Sequence, residues 1–537
     1  MIRIASFLTS RILRDIIFFI FAVFFKASVI LPGSVYRIIF NRECIMKKMY
    51  LFLLVVAAGV WAGMSNAFGC TGFVAGKDAT ADGFRIIART EDLSGAHNKT
   101  FKVYPHQKNR KPVQFTDSIG FKIELPKESY RYTAICDAEQ SEGIYDEVGF
   151  NEYGVAMSAT VSASPGKAAE AADPLVENGL SEASMTTVVL PYITTAREGV
   201  ERIAKIVDTY GSAEGNILFI ADDKESWYME IYTGHQYAAV KVPDDMYAVV
   251  PNCFLLGYID TASKDVIASK DLINLPKSKG FYKESDGKFH AALTYGEEMS
   301  DYNRVRLWGG QNKLSPSAKV AYDTKLFSLW RKADKKIALE DVMELQRYRY
   351  EDTDKNANLP ENAGVRAIGT PTSMECHIIQ MKDTLPKAVG GVMWMAMANA
   401  EHSVYLPFYG NITDTYAAYK VDNKMYTPDS FYWLMRTINV FSALNRDMYG
   451  KNVRSYWKAY EQKLIKEQKG KDAEIARLYT KKGESAAAKY ATKLGNDQAA
   501  DVFEKAQKIY PELVGFAAQN EGRTPKKAFE PSVAKEK

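Results

Sequence analysis

The sequence predicts an α+β fold in which sheet packs on sheet and helices lie outside. A hairpin pattern begins at Cys70, several β-rich runs separated by turn residues lie between Ile217 and Val250, and an amphipathic helix spans Ala196–Tyr210. Strands and helices therefore mix without the strict βαβ alternation that is typical of a parallel sheet.

The first predicted element is a β-hairpin. Residues Cys70–Ala75 alternate as a strand does, and after a turn Phe84–Arg89 returns as a second strand. Antiparallel partners lie side by side, so the start of the first strand faces the end of the second. We therefore expect Cys70, Arg89 and Asp92 to meet at one end of the hairpin.

The clearest helix is predicted near the middle of the chain. Val200, Ile203 and Val207 fall on one face of Ala196–Tyr210, and Gly211 follows as a C-cap. This face should pack on a sheet. The other predicted elements are strands at Val155–Val161, His377–Met381, Val392–Met397 and Val404–Phe408 and a helix at Phe431–Leu444. The segment from about Tyr456 to Tyr510 is rich in Ala, Lys, Glu and Gln, which favours surface helices.

The first 69 residues contain two apolar segments. Met46-Lys47-Lys48 supplies a positive start, Met49–Gly63 is an apolar stretch, and Ser65-Asn66-Ala67 is a small-x-small processing site. This order is typical of a secretory signal and predicts export to the periplasm or the outside of the cell. The upstream segment Ile16–Phe25 is shorter than the roughly 20 residues of a membrane-spanning helix. We interpret it as part of an untranslated extension, with an N-terminal anchor helix as the alternative.

The distribution of charge excludes one class of partner. The leader carries eight Lys and Arg against two acidic residues, which leaves 61 basic and 63 acidic side chains in the rest of the chain. A body with a net charge near −2 has no electrostatic footprint for nucleic acid. We therefore expect no nucleic-acid partner and, after processing, no stable membrane insertion, while oligomerisation stays open.

The cysteines and histidines show no metal-binding spacing. There is no Cys-x-x-Cys arrangement and no His-x-x-x-His pair. We therefore predict no metal site. Beyond the leader and Cys70, the chain has Cys136, Cys253 and Cys376, which either include one disulfide or are buried as small apolar side chains, and burial is favoured.

A cysteine that directly follows a secretion signal has three interpretations. Lipoprotein processing would acylate Cys70, but Phe68 and the lack of a Leu three residues before the cysteine fit that signal poorly. An isolated cysteine is also often a buried structural residue. The third interpretation is an N-terminal nucleophile, released by cleavage before Cys70.

The third interpretation gives one residue two chemical roles. A free α-amine has a pKa of about 7.7 to 8.0 and a thiol about 8.5, so the amine can take the thiol proton and later return it to the leaving nitrogen. Arg89 would favour the thiolate, and Asp92 would accept hydrogen bonds from the ammonium. The alternative for Arg89 and Asp92 is a surface ion pair at a strand end.

Several blocks in order resemble one family. The runs Cys70–Lys77 and Ala88–Asp92 resemble the opening of the cysteine dipeptidase family (dipeptidase A type) of N-terminal-nucleophile hydrolases. Gly149–Ala156 is similar to the second signature of this family, and Gly390–Trp394 and Val404–Tyr409 resemble its late strands. The resemblance covers roughly residues 70 to 444.

This resemblance implies a four-layer αββα sandwich and a site that needs no metal or organic cofactor. The related bile-salt hydrolases and penicillin V acylases use an Asn and a second Arg. Asn252 and Arg304 stand in the corresponding order here, with Arg306 competing for the role of Arg304. Asn252 would donate to the oxyanion, and Thr160 is a further candidate contributor.

We accordingly divide the chain into an upstream extension (1–45), a signal peptide with a short propeptide (46–69), a catalytic domain (70–445) and a helical C-terminal extension (446–537). The function expected is that of an exported dipeptidase acting on small peptides through a thioester on Cys70. The alternatives are an amidase for conjugated bile acids, penicillin V or acyl-homoserine lactones, and a non-catalytic envelope lipoprotein.

Overall fold

Two large antiparallel sheets dominate the mixed α+β fold. The computed structural model describes residues 69–140 and 143–535, so the predicted upstream extension and almost all of the signal peptide lie outside the described residues. The six-stranded sheet has the order β14 (Tyr247–Val250), β1 (Thr71–Ala75), β2 (Arg85–Asp92), β18 (Ser373–Met381), β19 (Gly391–Met397) and β20 (Leu406–Tyr409).

The eight-stranded sheet is built from the middle of the chain. Its order is β15 (Val266–Ala268), β13 (Tyr237–Lys241), β12 (Ser226–Ile231), β11 (Asn216–Ala221), β10 (Ala156–Ser162), β9 (Val148–Phe150), β8 (Tyr132–Asp137) and β3 (Lys99–Tyr104). Short two-stranded pairs join β4 (Gln107–Lys108) to β7 (Glu128–Ser129), β5 (Val113–Thr116) to β6 (Lys122–Leu125), and β16 (Glu284–Ser285) to β17 (Lys288–Phe289).

The helices of the described residues lie between and after these strands. They are α1 (Lys167–Ala172), α2 (Glu182–Val189), α3 (Ala196–Tyr210), α4 (Asn274–Lys279), α5 (Ala291–Tyr295), α6 (Asp301–Leu314), α7 (Leu339–Arg347), α8 (Phe431–Ala443), α9 (Lys451–Lys482) and α10 (Glu484–Gln519). Within the described residues, no helix is both long enough and apolar enough to cross a membrane.

Strand β11 shows how the eight-stranded sheet contributes to two cores. Because side chains alternate along a strand, Ile217 and Phe219 enter one apolar cluster, whereas Leu218 and Ile220 enter the other. The Phe219 ring faces the six-stranded sheet, where a Cβ at Gly72 would lie only 2.8 Å from it. The two sheets therefore pack on each other, and the glycine permits their close approach.

The other face of the eight-stranded sheet is covered by α2 and α3. Val200, Ile203 and Val207 of α3 are buried in the same cluster as Leu218 and Ile220, so the predicted apolar face packs on a sheet. The Thr195 side chain accepts from the backbone of residue 198 at the start of α3, and Gly211 ends the helix with a φ of 75°.

The C-terminal segment forms two long helices, α9 and α10, which meet at Gly483. They pack against each other and against β20, and α10 also packs against α8. Trp457, Leu464 and Ile475 of α9 are buried in the same apolar cluster as the six-stranded sheet. The prediction of helices is confirmed, but one side of each contributes to the core, so they are more than surface helices.

The predicted strands are present with small changes of bounds, yet their partners were not predictable. Four strands, β11 to β14, fill the β-rich region between Ile217 and Val250. The first three belong to the eight-stranded sheet, whereas β14 crosses to the six-stranded sheet and pairs with β1. This crossing brings the segment after Val250 next to the start of β1.

Candidate active site

The hairpin of β1 and β2 brings a cysteine and an arginine to the same end of the six-stranded sheet. Gly72 pairs with Arg89, so Cys70, which precedes β1, lies beside the end of β2. Cys70, Arg89 and Asp92 are all buried at this end. The structure thus brings together the three residues that the hairpin pattern selects.

Arg89 is the hydrogen-bonding partner of the Cys70 thiol. Its Nη1 lies 3.3 Å from Sγ and also donates to the carbonyl oxygen of Thr160 at 2.5 Å. Burial raises the pKa of the Cys70 thiol well above its ordinary value, and the Arg89 charge acts in the opposite direction. While Gly69 remains attached, the buried thiol is therefore protonated at neutral pH.

Three carboxylates surround the Arg89 guanidinium. Nη2 pairs directly with Glu147 and lies 4.0 Å from Glu375 Oε1, and Nη1 lies 3.7 Å from Glu182 Oε1. The Glu147 and Glu375 side chains are 1% and 0% exposed, whereas that of Glu182 is 16% exposed. None of these glutamates stands in a pattern that the sequence alone connects to Cys70.

This cluster holds more acidic than basic groups. Burial raises the pKa of Glu147 well above its ordinary value, against the effect of Arg89. Glu375 Oε1 lies 2.9 Å from His377 Nδ1, and burial lowers the pKa of that imidazole. Within this cluster, burial therefore favours the protonated form of Glu147.

A second arginine, Arg306, lies on the other side of Cys70. It donates to the Cys70 carbonyl oxygen at 2.7 Å and to Oδ1 of Asn252 at 2.8 Å. Burial lowers the pKa of Arg306 to about 10. Asn252 Nδ2 donates to the Ser162 carbonyl oxygen at 2.8 Å, so this amide is fixed at both ends. The structure therefore brings Asn252 to Cys70, as the family resemblance implies.

The residue before the thiol fits only as glycine. A Cβ at Gly69 would lie 2.1 Å from Asn252 Oδ1. Asn252 could move aside only by giving up its bonds to Arg306 and Ser162. A larger residue at position 69 would therefore displace Asn252 and break these two hydrogen bonds.

Arg366 is a site residue that the sequence did not reveal. Its guanidinium donates to the Gly69 carbonyl oxygen and, at 2.5 Å, to Asp92 Oδ2, and the Asp92 charge raises its pKa although burial acts to lower it. Arg306 Nη1 lies 3.5 Å from the same carbonyl oxygen. Two guanidinium groups therefore face the peptide bond that joins Gly69 to Cys70. Arg366 lies in a loop and belongs to no recognised motif.

In this structure the Asp92 carboxylate accepts hydrogen bonds from side chains and not from the Cys70 nitrogen. Oδ1 accepts from Ser373 Oγ at 2.5 Å, and Oδ2 accepts from Thr90 Oγ1 at 2.9 Å as well as from Arg366. Asp92 thus fixes the guanidinium that faces Gly69. Because the Cys70 nitrogen is here part of a peptide bond, the predicted contact between Asp92 and a free α-amine stays a prediction.

The assignment of Arg304 to the thiol needs correction. Arg304 donates to the Thr324 carbonyl oxygen at 2.6 Å and pairs with Asp301, away from Cys70. Both Arg304 and Arg306 lie on α6, where residues two apart point in nearly opposite directions. Arg306 is the one that faces Cys70. No sequence pattern had predicted a helix at this position.

The structure also shows the surroundings of the remaining cysteines and of Thr160. Cys136, Cys253 and Cys376 are free and buried, so burial is confirmed and the disulfide interpretation is wrong. Thr160 presents its carbonyl oxygen to Arg89, while its buried Oγ1 has no hydrogen-bond partner among the described residues.

Comparison with known proteins points to a peptidase family, in agreement with the geometry of this site. Residues 69–459 match peptidase family C69, and that match begins at the glycine next to Cys70. The chain is 42% identical over 492 residues to a probable dipeptidase B of Streptococcus pyogenes serotype M1, covering 89% of this chain and 98% of that protein. Since 89% of the 537 residues is about 478, the aligned region must extend past residue 445 and into α9.

Two more distant relatives carry a similar name. A probable dipeptidase of Latilactobacillus sakei is 36% identical over 373 residues, covering 68% of this chain and 79% of that protein. A probable dipeptidase of Salmonella dublin is 32% identical over 372 residues, covering 68% of this chain and 85% of that protein.

Proposed function

The chain belongs to peptidase family C69 and is a cysteine-type dipeptidase, and from this premise we propose that Cys70, once it is the N-terminal residue, hydrolyses short peptides through a thioester. The observation that carries the proposal is the contact of Sγ with Arg89 at 3.3 Å, at the start of β1. Asn252 and Arg306 complete the site on the other side of Cys70.

The proposal includes the αββα arrangement of N-terminal-nucleophile hydrolases. The core shared by the two sheets supports it, as do α2 and α3 on the outer face of the eight-stranded sheet. On the other side, α6 contacts β14 and α7 contacts β18 of the six-stranded sheet. This arrangement would place the nucleophile at the end of an inner strand.

In the first proposed step the chain cleaves its own Gly69–Cys70 bond. Sγ adds to the Gly69 carbonyl carbon, the C–N bond breaks, and the nitrogen takes the thiol proton to become the α-amine of Cys70. Water then hydrolyses the thioester and releases a peptide that ends in the Gly69 carboxylate. The two arginines that face the Gly69 oxygen, Arg306 and Arg366, would stabilise its negative charge.

In turnover the new α-amine acts as the base. It takes the thiol proton, Sγ adds to the substrate carbonyl carbon, and the proton passes to the leaving nitrogen as the C–N bond breaks. Water then hydrolyses the thioester. The second hydrogen of Asn252 Nδ2, which is not used by Ser162, is the candidate donor to the oxyanion. Arg306 takes the role that the family resemblance assigned to Arg304.

The charges around Cys70 favour short peptides over large apolar amides. Arg306, Arg366, Asp92 and Glu182 all lie at the thiol or contact residues that touch it. A dipeptide carries a charged group at each end, so a small site that contains both signs of charge suits it. A bile-acid or acyl amide would instead need an apolar pocket.

Export is part of the proposal and rests on the leader pattern from Met46 to Ala67. Free α-amine and thiol groups would then form on the far side of the membrane from the site of synthesis. Fractionation of cells with an antibody to the mature chain tests this part by itself, because a cytoplasmic enzyme could still hydrolyse dipeptides.

The test of the whole proposal is the intact mass of the active protein together with its rate on dipeptides. We expect the active form to begin at Cys70 with an unmodified amine, and Cys70→Ala to be inactive and to retain Gly69. Full activity with Gly69 still attached, or with a lipid on Cys70, would contradict the proposal.

A glycine pair tests the maturation step. Gly69→Ala should slow cleavage of the precursor, because its Cβ would collide with Asn252. Gly364→Ala is the matched control, since a Cβ there meets nothing within 4 Å. The fraction of precursor is read by mass spectrometry over time. Equal maturation of the two variants would mean that the close contact between residue 69 and Asn252 plays no part in the proposed cleavage.

A further inference from the structure

Of the three carboxylates around Arg89, Glu182 differs in its access to solvent. Its side chain is 16% exposed, whereas those of Glu147 and Glu375 are almost completely buried. Glu182 is the first residue of α2, a helix that packs on the eight-stranded sheet away from the thiol. Its carboxylate is therefore the one in this cluster that a substrate can reach.

Glu182 also keeps hydrogen-bonding capacity. Oε2 accepts from Ser162 Oγ at 3.2 Å. Oε1 faces Arg89 at 3.7 Å, which is too long for a hydrogen bond, and accepts none from the described residues. The backbone N–H of Glu182 donates to Glu214 Oε1 at 2.6 Å, which fixes the start of α2. The position of the carboxylate is thus held while one of its oxygens stays available.

The distance between Glu182 and the thiol suits one residue of a peptide. Arg89 Nη1 lies 3.3 Å from Sγ and 3.7 Å from Glu182 Oε1, so Sγ and Oε1 are within about 7 Å of each other. In an amino acid the α-nitrogen lies about 2.5 Å from its own carbonyl carbon. With a charged hydrogen bond of about 2.8 Å at one end and an attack distance of about 3.2 Å at the other, one residue can span this gap.

The local charge favours a cation at this place. Glu214 adds a second carboxyl group next to Glu182, and Arg89 is already shared with Glu147 and Glu375. We propose that Glu182 binds the free α-ammonium group of the first residue of the substrate and so makes the enzyme specific for unblocked N-termini. This inference rests on the proposed function, because it places the scissile carbonyl at Cys70.

The test combines a change in the enzyme with a matching change in the substrate. Leucyl-alanine and 4-methylpentanoyl-alanine differ only in the α-amine. Wild type should prefer leucyl-alanine in kcat/KM by about 10- to 100-fold, and Glu182→Gln should reduce this preference to within about threefold. Glu201→Gln on the outer helix α3 is the matched control and should keep the preference of wild type.

The outcomes separate this inference from the function on which it rests. If Glu182→Gln lowers both rates by the same factor, Glu182 acts on Arg89 or on the Cys70 amine, and amine recognition is wrong while the dipeptidase function stands. If wild type does not hydrolyse leucyl-alanine, or if Cys70→Ala does, the proposed function fails and the inference falls with it.

Inhibition of the wild-type enzyme gives the same information without a variant. Leucinamide and 4-methylpentanamide again differ only in the amine, and we expect the amine to lower the inhibition constant by about 10-fold or more. Equal inhibition by the two amides would overturn the inference.

Discussion

Arg89 and Arg347 are both fully buried in the described part of the chain, and both pair with glutamate, yet their surroundings differ. Arg347 donates to both oxygens of Glu461 at 3.0 and 2.5 Å, and its Nε donates to the Ala400 carbonyl oxygen at 2.7 Å. Glu461 lies on α9 and also accepts from the backbone of Tyr405 at 2.8 Å. Arg347 thus has one buried anionic partner, with the partly exposed Glu344 3.4 Å from its Nη1, and the pair with Glu461 anchors α9 to α7.

The surroundings of Arg89 are less complete and more acidic. Its Nε and Glu147 Oε1 are buried without a hydrogen-bond partner among the described residues. Three carboxylates compete for its single charge, and the thiol of Cys70 lies 3.3 Å from it. Full satisfaction is typical of a structural ion pair, whereas unsatisfied groups and excess charge indicate a site whose protonation matters to the chemistry.

The largest difference should appear when each arginine becomes methionine. Arg89→Met and Arg347→Met should both lower the free energy of unfolding at pH 8 by about 3 to 5 kcal/mol, because each leaves buried carboxylates without their cation. The kcat of the folded Arg89→Met enzyme should also fall about 10³-fold, since the thiolate loses its partner. Urea unfolding and dipeptide hydrolysis measure the two effects. A comparable loss of kcat in both variants would mean that Arg89 has no special role in catalysis compared with Arg347.

A smaller difference should follow from neutralising the glutamates. Glu461→Gln should cost about 3 kcal/mol of stability, because Arg347 then has no buried counter-charge. Glu147→Gln should change stability by less than about 1 kcal/mol, since Arg89 retains Glu182 and Glu375 and the cluster has carboxylates in excess. Unfolding in urea at pH 7 compares the two. Equal costs would mean that Glu147 is a structural partner like Glu461.

The smallest effect concerns a buried glutamate that lacks an arginine. Glu230 accepts from the backbones of Leu255 and Leu256 at 2.6 and 3.1 Å, near Asn252, and burial raises its pKa to about 7. A raised pKa means that Glu230 stabilises the fold below its unfolded pKa of about 4.3, and that this contribution is lost as pH rises through 7.

Glu230→Gln should therefore flatten the dependence of stability on pH. Between pH 5 and pH 8 the loss of stability should be smaller than in wild type by about 2 kcal/mol. The free energy of unfolding at several pH values measures this, with Glu461→Gln as the control that lowers the whole curve. Parallel curves for wild type and Glu230→Gln would contradict the assignment of the titration to this residue.

Local sequence patterns were sufficient to predict one helix, one hairpin and the family of this protein. Apolar spacing predicts α3 with the bounds that the structure shows, and alternation predicts the β1–β2 hairpin that joins Cys70 to Arg89. Ordered motifs also indicate the family, which the similarity to peptidase family C69 confirms. These features depend on residues close in sequence, whose spacing is fixed by the geometry of one helix or one hairpin.

The tertiary structure decided the rest of the site. Arg366 reaches Gly69 across 297 positions, and Glu147 reaches Arg89 across 58, so no local pattern could connect them. The choice of Arg306 over Arg304 depended on the rotation of α6 relative to β1, and the crossing of β14 into the six-stranded sheet brought Asn252 to the thiol. Sequence thus selected Cys70, the proposed nucleophile, and its strand partner Arg89. The charged groups around them were brought together by packing, because electrostatic contact depends on distance in space.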